Sequence, residues 1–229
     1  MKTIGLIGGM SWESTVTYYQ IINQTVKEKL GGLHSAKIVL YSVDFAEIEA
    51  CQANGEWGRS ADILADAAKN LERAGAAFIV ICTNTMHKVA PQIQQQIHIP
   101  IVHIADAAAD TLKQKGVKKV ALLGTKYTMT QDFYKEKLVS NGIAVIIPDA
   151  ADVELVNRVI YNELCLGVIS DASRRQYIRI IEQLKSKGAE GVILGCTEIG
   201  LLIHQKDSAL PVFDTTKIHA QKAAMESIA

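Results

Sequence analysis

A stretch of fifteen residues occurs twice in this chain, and the repetition limits the folds that the chain can adopt. Residues 71–85 align with residues 184–198 without a gap, at a constant offset of 113 residues. Each copy contains the pattern of a helix end, a glycine suited to a helix C-cap, a buried apolar strand and a polar turn before another helix. The alignment places Thr83 opposite Cys196. The chain therefore carries a hydroxyl and a thiol at equivalent strand ends.

A second match extends the repetition to the first strand of each half. Residues 4–8 match residues 120–124 at an offset of 116 residues. Strands and helices alternate in both halves, which favours parallel sheets covered by helices. We predict an α/β fold with two pseudo-symmetric domains, each a parallel sheet flanked by helices. The expected N-terminal domain comprises residues 1–100 plus 210–229, and the expected C-terminal domain comprises residues 101–209.

Composition narrows the classes of partner and the cellular location. The 229 residues include 24 basic and 24 acidic side chains, and this balance predicts neither a nucleic acid nor an anionic membrane as partner. No apolar run is long enough to span a bilayer, and the apolar part of residues 1–9 is too short for a signal peptide. The four cysteines form no CxxC pair and no Cys/His cluster, so we expect no metal site and a reducing, cytoplasmic location.

Polar residues follow the predicted strands, where ligands bind in parallel α/β sheets. Ser, Thr and Asn at these positions suit a carboxylate or a phosphate at a helix N-terminus, although the same residues are ordinary N-caps. Residues 8–14 lack the spacing of a dinucleotide fingerprint, and residues 124–128 lack that of a P-loop. Nucleotide binding therefore has little support.

Cys196 is the strongest single candidate for chemistry. It follows a buried strand and precedes a helix start, a position that can lower the pKa of a thiol and favour the thiolate; the alternative is an inert buried cysteine. Cys82 is expected to be structural, because side chains alternate along a strand and its side chain should point away from that of Thr83. His87, one helical turn after Thr83, has two interpretations: acid–base chemistry, or a packed or capping histidine.

Residues 83–87 and residues 195–198 together give the chain its resemblance to a known family. With the opening Gly-Gly-Met-Ser at residues 8–11, they resemble the cofactor-independent aspartate/glutamate racemases over the whole chain. The resemblance implies an isomerase that acts on a small amino acid, usually as a homodimer, by a two-base mechanism without pyridoxal phosphate or metal. One residue removes the α-proton as a thiolate, and another returns a proton to the opposite face of the carbanion.

The resemblance also assigns roles to individual residues. The catalytic pair would be Thr83 and Cys196. The predicted substrate-binding residues are those at the strand ends: Met10, Ser11, Gln52, Asn84, Thr85, Thr128 and Thr197. Among them, Asn84, Thr85 and Thr197 would hold the α-carboxylate and the amine, and Met10 and Gln52 would meet the substrate side chain.

Two departures from the family pattern shape the expected activity. The family has cysteine at both strand ends, whereas this chain has Thr83 at one. A threonine hydroxyl can donate a proton but is a poor base, so we expect Cys196 to be the base and the L-to-D direction to be favoured. Some aspartate racemases carry an arginine after the second strand, but residues 44–52 here contain no cation, and Lys126 is the nearest that the sequence suggests.

The predicted function is therefore an aspartate or glutamate racemase, with alternatives. Because residues 44–52 contain no arginine, a racemase that acts on a broader range of amino acids or on neutral ones is an alternative. Decarboxylation or isomerisation of small diacids uses the same carbanion chemistry. A two-lobed α/β plan also suits a non-enzymatic small-ligand binding protein, although Cys196 counts against that class.

Overall fold

The computed structural model describes residues 1–229, which form seven strands and eleven α-helices. The chain separates into two compact units, Met1–Ile104 with His219–Ala229 and Ala105–Ile218. In the first part of the chain the elements are β1 Ile4–Gly8, α1 Trp12–Leu30, β2 Ile38–Ser42, α2 Phe45–Asn54, α3 Trp57–Arg73, β3 Phe78–Ile81, a 3₁₀ helix Thr85–Val89, α4 Ala90–Gln94 and α5 Ile104–Gln114. None of the helices has the length and apolarity needed to cross a membrane.

The remaining elements repeat this arrangement. They are β4 Lys119–Gly124, α6 Lys126–Thr130, α7 Asp132–Val139, β5 Ala144–Ile146, α8 Ala150–Asn162, a 3₁₀ helix Leu164–Leu166, α9 Asp171–Ser186, β6 Gly191–Gly195, α10 Ile199–Leu202, a 3₁₀ helix Gln205–Asp207, β7 Val212–Asp214 and α11 Thr215–Ile228.

The three strands of the first sheet match three of the four strands of the second sheet in order and register. The first sheet runs β2-β1-β3 and the second runs β5-β4-β6-β7, all parallel. Ile4 pairs with Phe78 in the first sheet, and Val120 pairs with Gly191 in the second. These pairs are related by the offsets of 116 and 113 residues found in the sequence. The predicted α/β fold with two similar halves, each a parallel sheet flanked by helices, is confirmed.

The repeated fifteen-residue stretch adopts the same turn in both halves. Gly75 and Gly188 follow α3 and α9, and each has a φ of +90°, a conformation that glycine adopts without steric cost. The next residue closes the turn in both cases, because Ala76 N–H donates to the Leu71 carbonyl at 3.0 Å and Ala189 N–H donates to the Leu184 carbonyl at 3.1 Å. The same local turn therefore leads into β3 and β6, each of which pairs with the first strand of its half.

The position of β7 corrects one part of the predicted domain boundaries. We expected residues 210–229 to belong with the N-terminal half, but β7 pairs with β6 in the second sheet, and the chain returns to the first unit only at His219. The counterpart of β7 in the first sheet is a single bridge between Ile79 and Ile101. Sheet membership depends on the neighbour that a strand pairs with, which local sequence patterns do not specify.

Apolar side chains cover both faces of β1, as its uninterrupted burial requires. Ile4 and Leu6 pack with side chains of α1 and α11, whereas Ile7 packs with side chains of α2 and α3. This alternation follows from the period of two in a strand. In the second unit, Ala121 and Leu123 of β4 pack with α8 and α9. Burial of both faces leaves the strand ends as the places where polar side chains collect.

Candidate active site

The ends of β1 and β3 bring several predicted site residues to one edge of the first sheet. Ile7 pairs with Ile81, and Cys82 N–H donates to the Ile7 carbonyl at 2.9 Å, so the segments that follow the two strands are neighbours. Thr83 is partly exposed, whereas Asn84 and Thr85 are buried. Hydroxyl and amide groups therefore lie where a parallel sheet binds its ligands.

The loop after β1 is fixed by hydrogen bonds at the start of α1. Ser11 is the N-cap residue: its Oγ accepts from the Ser14 backbone N–H at 3.3 Å, and its carbonyl accepts from the Ser14 hydroxyl at 3.0 Å. Gly9 N–H donates to Thr15 Oγ1 at 2.8 Å. Met10 and Ser11 are 2 % and 3 % exposed. These contacts hold the loop residues named by the sequence at the edge that carries Thr83.

Gln52 reaches the same region from α2. Its Nε2 lies 3.0 Å from Met86 Sδ, in the 3₁₀ helix that begins two residues after Thr83. Gln52 is 4 % exposed. Six of the predicted residues are thus grouped within the first unit: Met10, Ser11, Gln52, Thr83, Asn84 and Thr85. Cys82, as predicted, packs in the core beside α1 and α11, and burial raises the pKa of its thiol.

The end of β6 holds a second polar group, within the other unit. The Cys196 thiol donates to Glu198 Oε2 at 3.0 Å, and the Thr197 hydroxyl donates to the same oxygen at 2.8 Å. All three residues are buried, with Cys196 7 % and Glu198 2 % exposed. A carboxylate oxygen therefore lies within reach of the thiol proton. The sequence analysis includes Glu198 only as part of the motif at residues 195–198. An acidic residue two positions after the candidate thiol is the feature that could have identified it.

The electrostatics of Cys196 correct the sequence-based expectation. Burial raises the pKa of this thiol well above its usual range, and the negative charge of Glu198 raises it further. A hydrogen bond from the Glu198 backbone lowers the pKa of the thiol, but burial and the charge of Glu198 outweigh this effect. Resting Cys196 is therefore a thiol hydrogen-bonded to a carboxylate.

Thr128 lies beside this strand end. Thr125 caps α6, and its Oγ1 lies 3.3 Å from the Thr128 backbone N and 3.1 Å from Thr128 Oγ1. A Cβ built on Gly195 would lie 3.4 Å from Thr128 Cγ2, so Thr128 packs directly against the strand that leads to Cys196. Thr128, Cys196 and Thr197 are thus brought together in the second unit.

Lys126, in contrast, is engaged elsewhere. Its ammonium group forms an ion pair with Glu154 on α8, and this partner raises the pKa of Lys126. Its side chain is half exposed. The suggestion that Lys126 supplies the cation for a distal carboxylate has no support in this arrangement.

His87 is packed and hydrogen-bonded rather than open to a substrate. Its Nδ1 lies 2.8 Å from the Thr83 carbonyl, and its Nε2 lies 3.2 Å from the Ile104 backbone N. Its ring contacts His103 at a centroid distance of 4.5 Å and lies 5.6 Å from His219. Of the two interpretations from the sequence, the packed histidine is the one found.

The two fully buried histidines predict a stability loss in acid. Burial lowers the pKa of His219 from 6.5 to about 4, and burial also lowers the pKa of His87. Below about pH 6.5, the ordinary pKa of histidine, the unfolded chain binds more protons at these rings than the folded chain does. The free energy of unfolding therefore falls as the pH drops from about 6.5 towards about 4. The expected loss is about 1.4 kcal/mol per pH unit for each imidazole.

Urea denaturation at several pH values from about 7 to about 4.5 would measure this slope, with His219→Gln as the test variant and His34→Gln, at an exposed histidine, as its control. We expect the first variant to show a shallower slope than the parent chain and the second to match the parent. Equal slopes in all three proteins would contradict the assignment.

Comparison with known proteins gives a consistent family. The family model described as Asp/Glu/Hydantoin racemase matches residues 7–223. A proposed Asp/Glu racemase from Yersinia pestis is 57% identical, with a TM-score of 0.93 and complete coverage of both chains. An aspartate racemase homologue from Pyrococcus horikoshii OT3 is 40% identical, with a TM-score of 0.86 and complete coverage of both chains. The broad specificity amino-acid racemase RacX of Bacillus subtilis is 28% identical over 72% of this chain and 70% of its own length.

Proposed function

Because the chain belongs to the Asp/Glu/hydantoin racemase family and is therefore an isomerase, we propose that it racemises aspartate or glutamate with Cys196 and Thr83 as its two proton-transfer groups. The observation that carries the proposal is the hydrogen bond of 3.0 Å from the buried Cys196 thiol to Glu198. It supplies what a thiol with a raised pKa needs before it can act as a base, namely an acceptor for its proton.

Each group regains its starting protonation state by the end of one turnover. Glu198 takes the thiol proton, and the resulting thiolate removes the α-proton of the L-substrate. The Thr83 side delivers a proton to the opposite face of the carbanion, either from the hydroxyl or from a water that the hydroxyl positions. Glu198 then gives its proton to solvent, and solvent restores the proton lost on the Thr83 side. The sulfur keeps the former α-proton, so the starting protonation state returns.

Hydroxyl and amide groups at the strand ends suit the ends of an amino acid. In this proposal Asn84, Thr85 and Thr197 bind the α-carboxylate and the amine, with Ser11 and Thr128 nearby. Hydrogen-bond donors aimed at the carboxylate stabilise the charge that spreads onto it in the carbanion. In the same proposal Met10 and the Gln52 amide meet the substrate side chain, and their position within the group that contains Thr83 supports this role.

A broader or neutral amino-acid range is the second candidate. The α2 region contains no cation among residues 44–52, and Lys126 is paired with Glu154. Without a cation from either place, a distal carboxylate would have no strong advantage over an amide. The broad-specificity relative RacX supports the same possibility.

Deuterium exchange tests the function and the substrate range together. Incubation of the full chain in D₂O with a panel of L-amino acids should incorporate deuterium at the α-carbon and produce the D-enantiomer, fastest for aspartate or glutamate. Similar rates for neutral amino acids would favour the second candidate. Racemisation would be contradicted if no amino acid of the panel showed exchange or inversion. Binding without exchange would favour the small-ligand binding protein.

Assembly and location remain predictions. We propose a cytoplasmic homodimer that uses no cofactor. In support, α1 presents an exposed apolar ridge at helical spacing, with Trp12, Val16 and Tyr19 exposed by 64 %, 45 % and 53 %.

A further inference from the structure

His87 joins the segment that carries Thr83 to the start of α5. The Ile104 backbone N–H can only donate, so His87 Nε2 must be the acceptor of the 3.2 Å bond and carries no proton. The ring proton is then on Nδ1, which donates to the Thr83 carbonyl at 2.8 Å. Both nitrogens are occupied by backbone groups, and this pattern requires the neutral ring.

The groups around His87 are also held in the neutral state. His219 Nε2 lies 2.7 Å from the Val102 carbonyl and must donate to it, so its Nδ1 accepts from the Tyr18 hydroxyl at 2.9 Å. The titratable groups near the His87 ring are His103 before α5, His219 on α11 and, beyond His219, Tyr18 on α1. Burial and the two neighbouring histidines lower the pKa of His87. A protonated ring would also lose its bond to Ile104.

The repeated half uses different side chains at the equivalent positions. The offset of 113 residues places Gly200 opposite His87, and the pairing of Ile79 with Ile101 and of Val192 with Val212 places Asp214 opposite His103. A Cβ on Gly200 would lie 2.8 Å from Asp214 Oδ2, so a carboxylate fills there the space that two imidazole rings occupy in the first unit. The imidazole connection is therefore specific to the half that carries threonine.

The second half also fixes its strand in another way. Thr215, opposite Ile104 in this alignment, donates its hydroxyl proton to the Leu194 carbonyl of β6 at 2.7 Å. Each half thus connects a strand end to the start of the following long helix with a side-chain hydrogen bond. In the first half, the bonded carbonyl belongs to Thr83 itself.

From these contacts we propose that His87 is a positioning residue for Thr83: as a neutral ring it holds the Thr83 backbone against the first residue of α5 and takes no part in proton transfer. The inference rests on the proposed role of Thr83 in returning a proton to the carbanion. Without the ring, the Thr83 hydroxyl should be less well positioned relative to the α-carbon of the substrate. The return step should then slow, whereas removal of the α-proton at Cys196 should not.

Isotope effects separate this role from a general structural one. His87→Ala should lower kcat from the L-enantiomer at least about tenfold, by analogy with the loss caused by small misplacements of catalytic groups. Because the return step would become limiting, the isotope effect of α-deuterated substrate should fall towards one and the solvent isotope effect should rise. His87→Asn, whose amide N–H can still reach the Thr83 carbonyl, should recover most of the rate. His98→Ala, at an exposed histidine, serves as control.

Three outcomes would overturn the inference: an unchanged kcat in His87→Ala, equal losses in the Ala and Asn variants, or a slower rate with unaltered isotope effects. Nitrogen NMR of the ring in the full chain provides a readout independent of turnover. It should show Nδ1–H and an unprotonated Nε2 at about pH 7, and the opposite tautomer or a charged ring would refute the role. If the parent chain racemises nothing, the proposed function fails, and the NMR result alone decides the state of His87.

Discussion

Replacing Cys196 by serine is expected to abolish racemisation from both enantiomers, with kcat lowered by roughly 10³-fold or more. A serine hydroxyl can occupy the same position and donate to Glu198 as the thiol does at 3.0 Å. Its pKa is far above that of a thiol, however, so Glu198 cannot generate the alkoxide needed to remove an α-proton. The substitution therefore removes the base and preserves the local packing. Chiral chromatography of the products, starting from each enantiomer separately, gives the measurement.

The control for this variant is another cysteine of the same unit. Cys165→Ser changes a half-buried thiol that interacts with Cys196 but takes no part in the proposed proton transfer, and it should keep kcat within about threefold of the parent. Circular dichroism and thermal unfolding of both variants would verify that the fold is retained. A Cys196→Ser protein that keeps a tenth of the parent rate would rule out Cys196 as the base.

Replacing Thr83 by cysteine should raise the saturating rate from the D-enantiomer, by about tenfold or more. In the parent chain the D-to-L direction requires the Thr83 side to remove a proton, and a hydroxyl does this poorly. The two enantiomers have equal free energies, so kcat/KM must be the same in both directions. The asymmetry of the parent must therefore be visible in kcat and KM separately, with the lower kcat for the D-substrate.

Initial rates over a full range of concentrations for each enantiomer would test this asymmetry. Thr83→Ser, which keeps a hydroxyl, should preserve the difference between the two kcat values, whereas Thr83→Cys should reduce it. Comparable kcat values from L- and D-substrate in the parent chain would show that threonine is not the weaker partner, and the assignment of directions would then be withdrawn.

Local patterns were sufficient for most of the fold because the repeat specifies it twice. The glycine turns before β3 and β6, the apolar strands and the polar strand ends are each encoded within a few residues, and the structure has them where the sequence places them. The membership of β7 was assigned wrongly because Val212–Asp214 is equally compatible with either sheet until its neighbour is known. A strand of three residues carries too little pattern to identify that neighbour.

The site was harder to predict because its chemistry depends on side-chain direction. The residue types at the strand ends identified Cys196 as a candidate. The raised pKa of its thiol could not be predicted, because it depends on burial and on the position of the Glu198 carboxylate in the folded chain. Lys126 was the nearest cation along the sequence, yet its partner Glu154 comes from a different helix. The pKa of Cys196 and the ion pair of Lys126 both depend on how the side chains are arranged in the folded chain. That arrangement cannot be predicted from local patterns in a single sequence.

The matching strand order and register of the two sheets have a consequence for the residues that the chain can carry at its strand ends. Two identical polypeptides of half the length would carry the same residue at each of these strand ends, either two thiols or two hydroxyls. A single chain that carries both copies can place different residues at equivalent strand ends, as Thr83 and Cys196 are here.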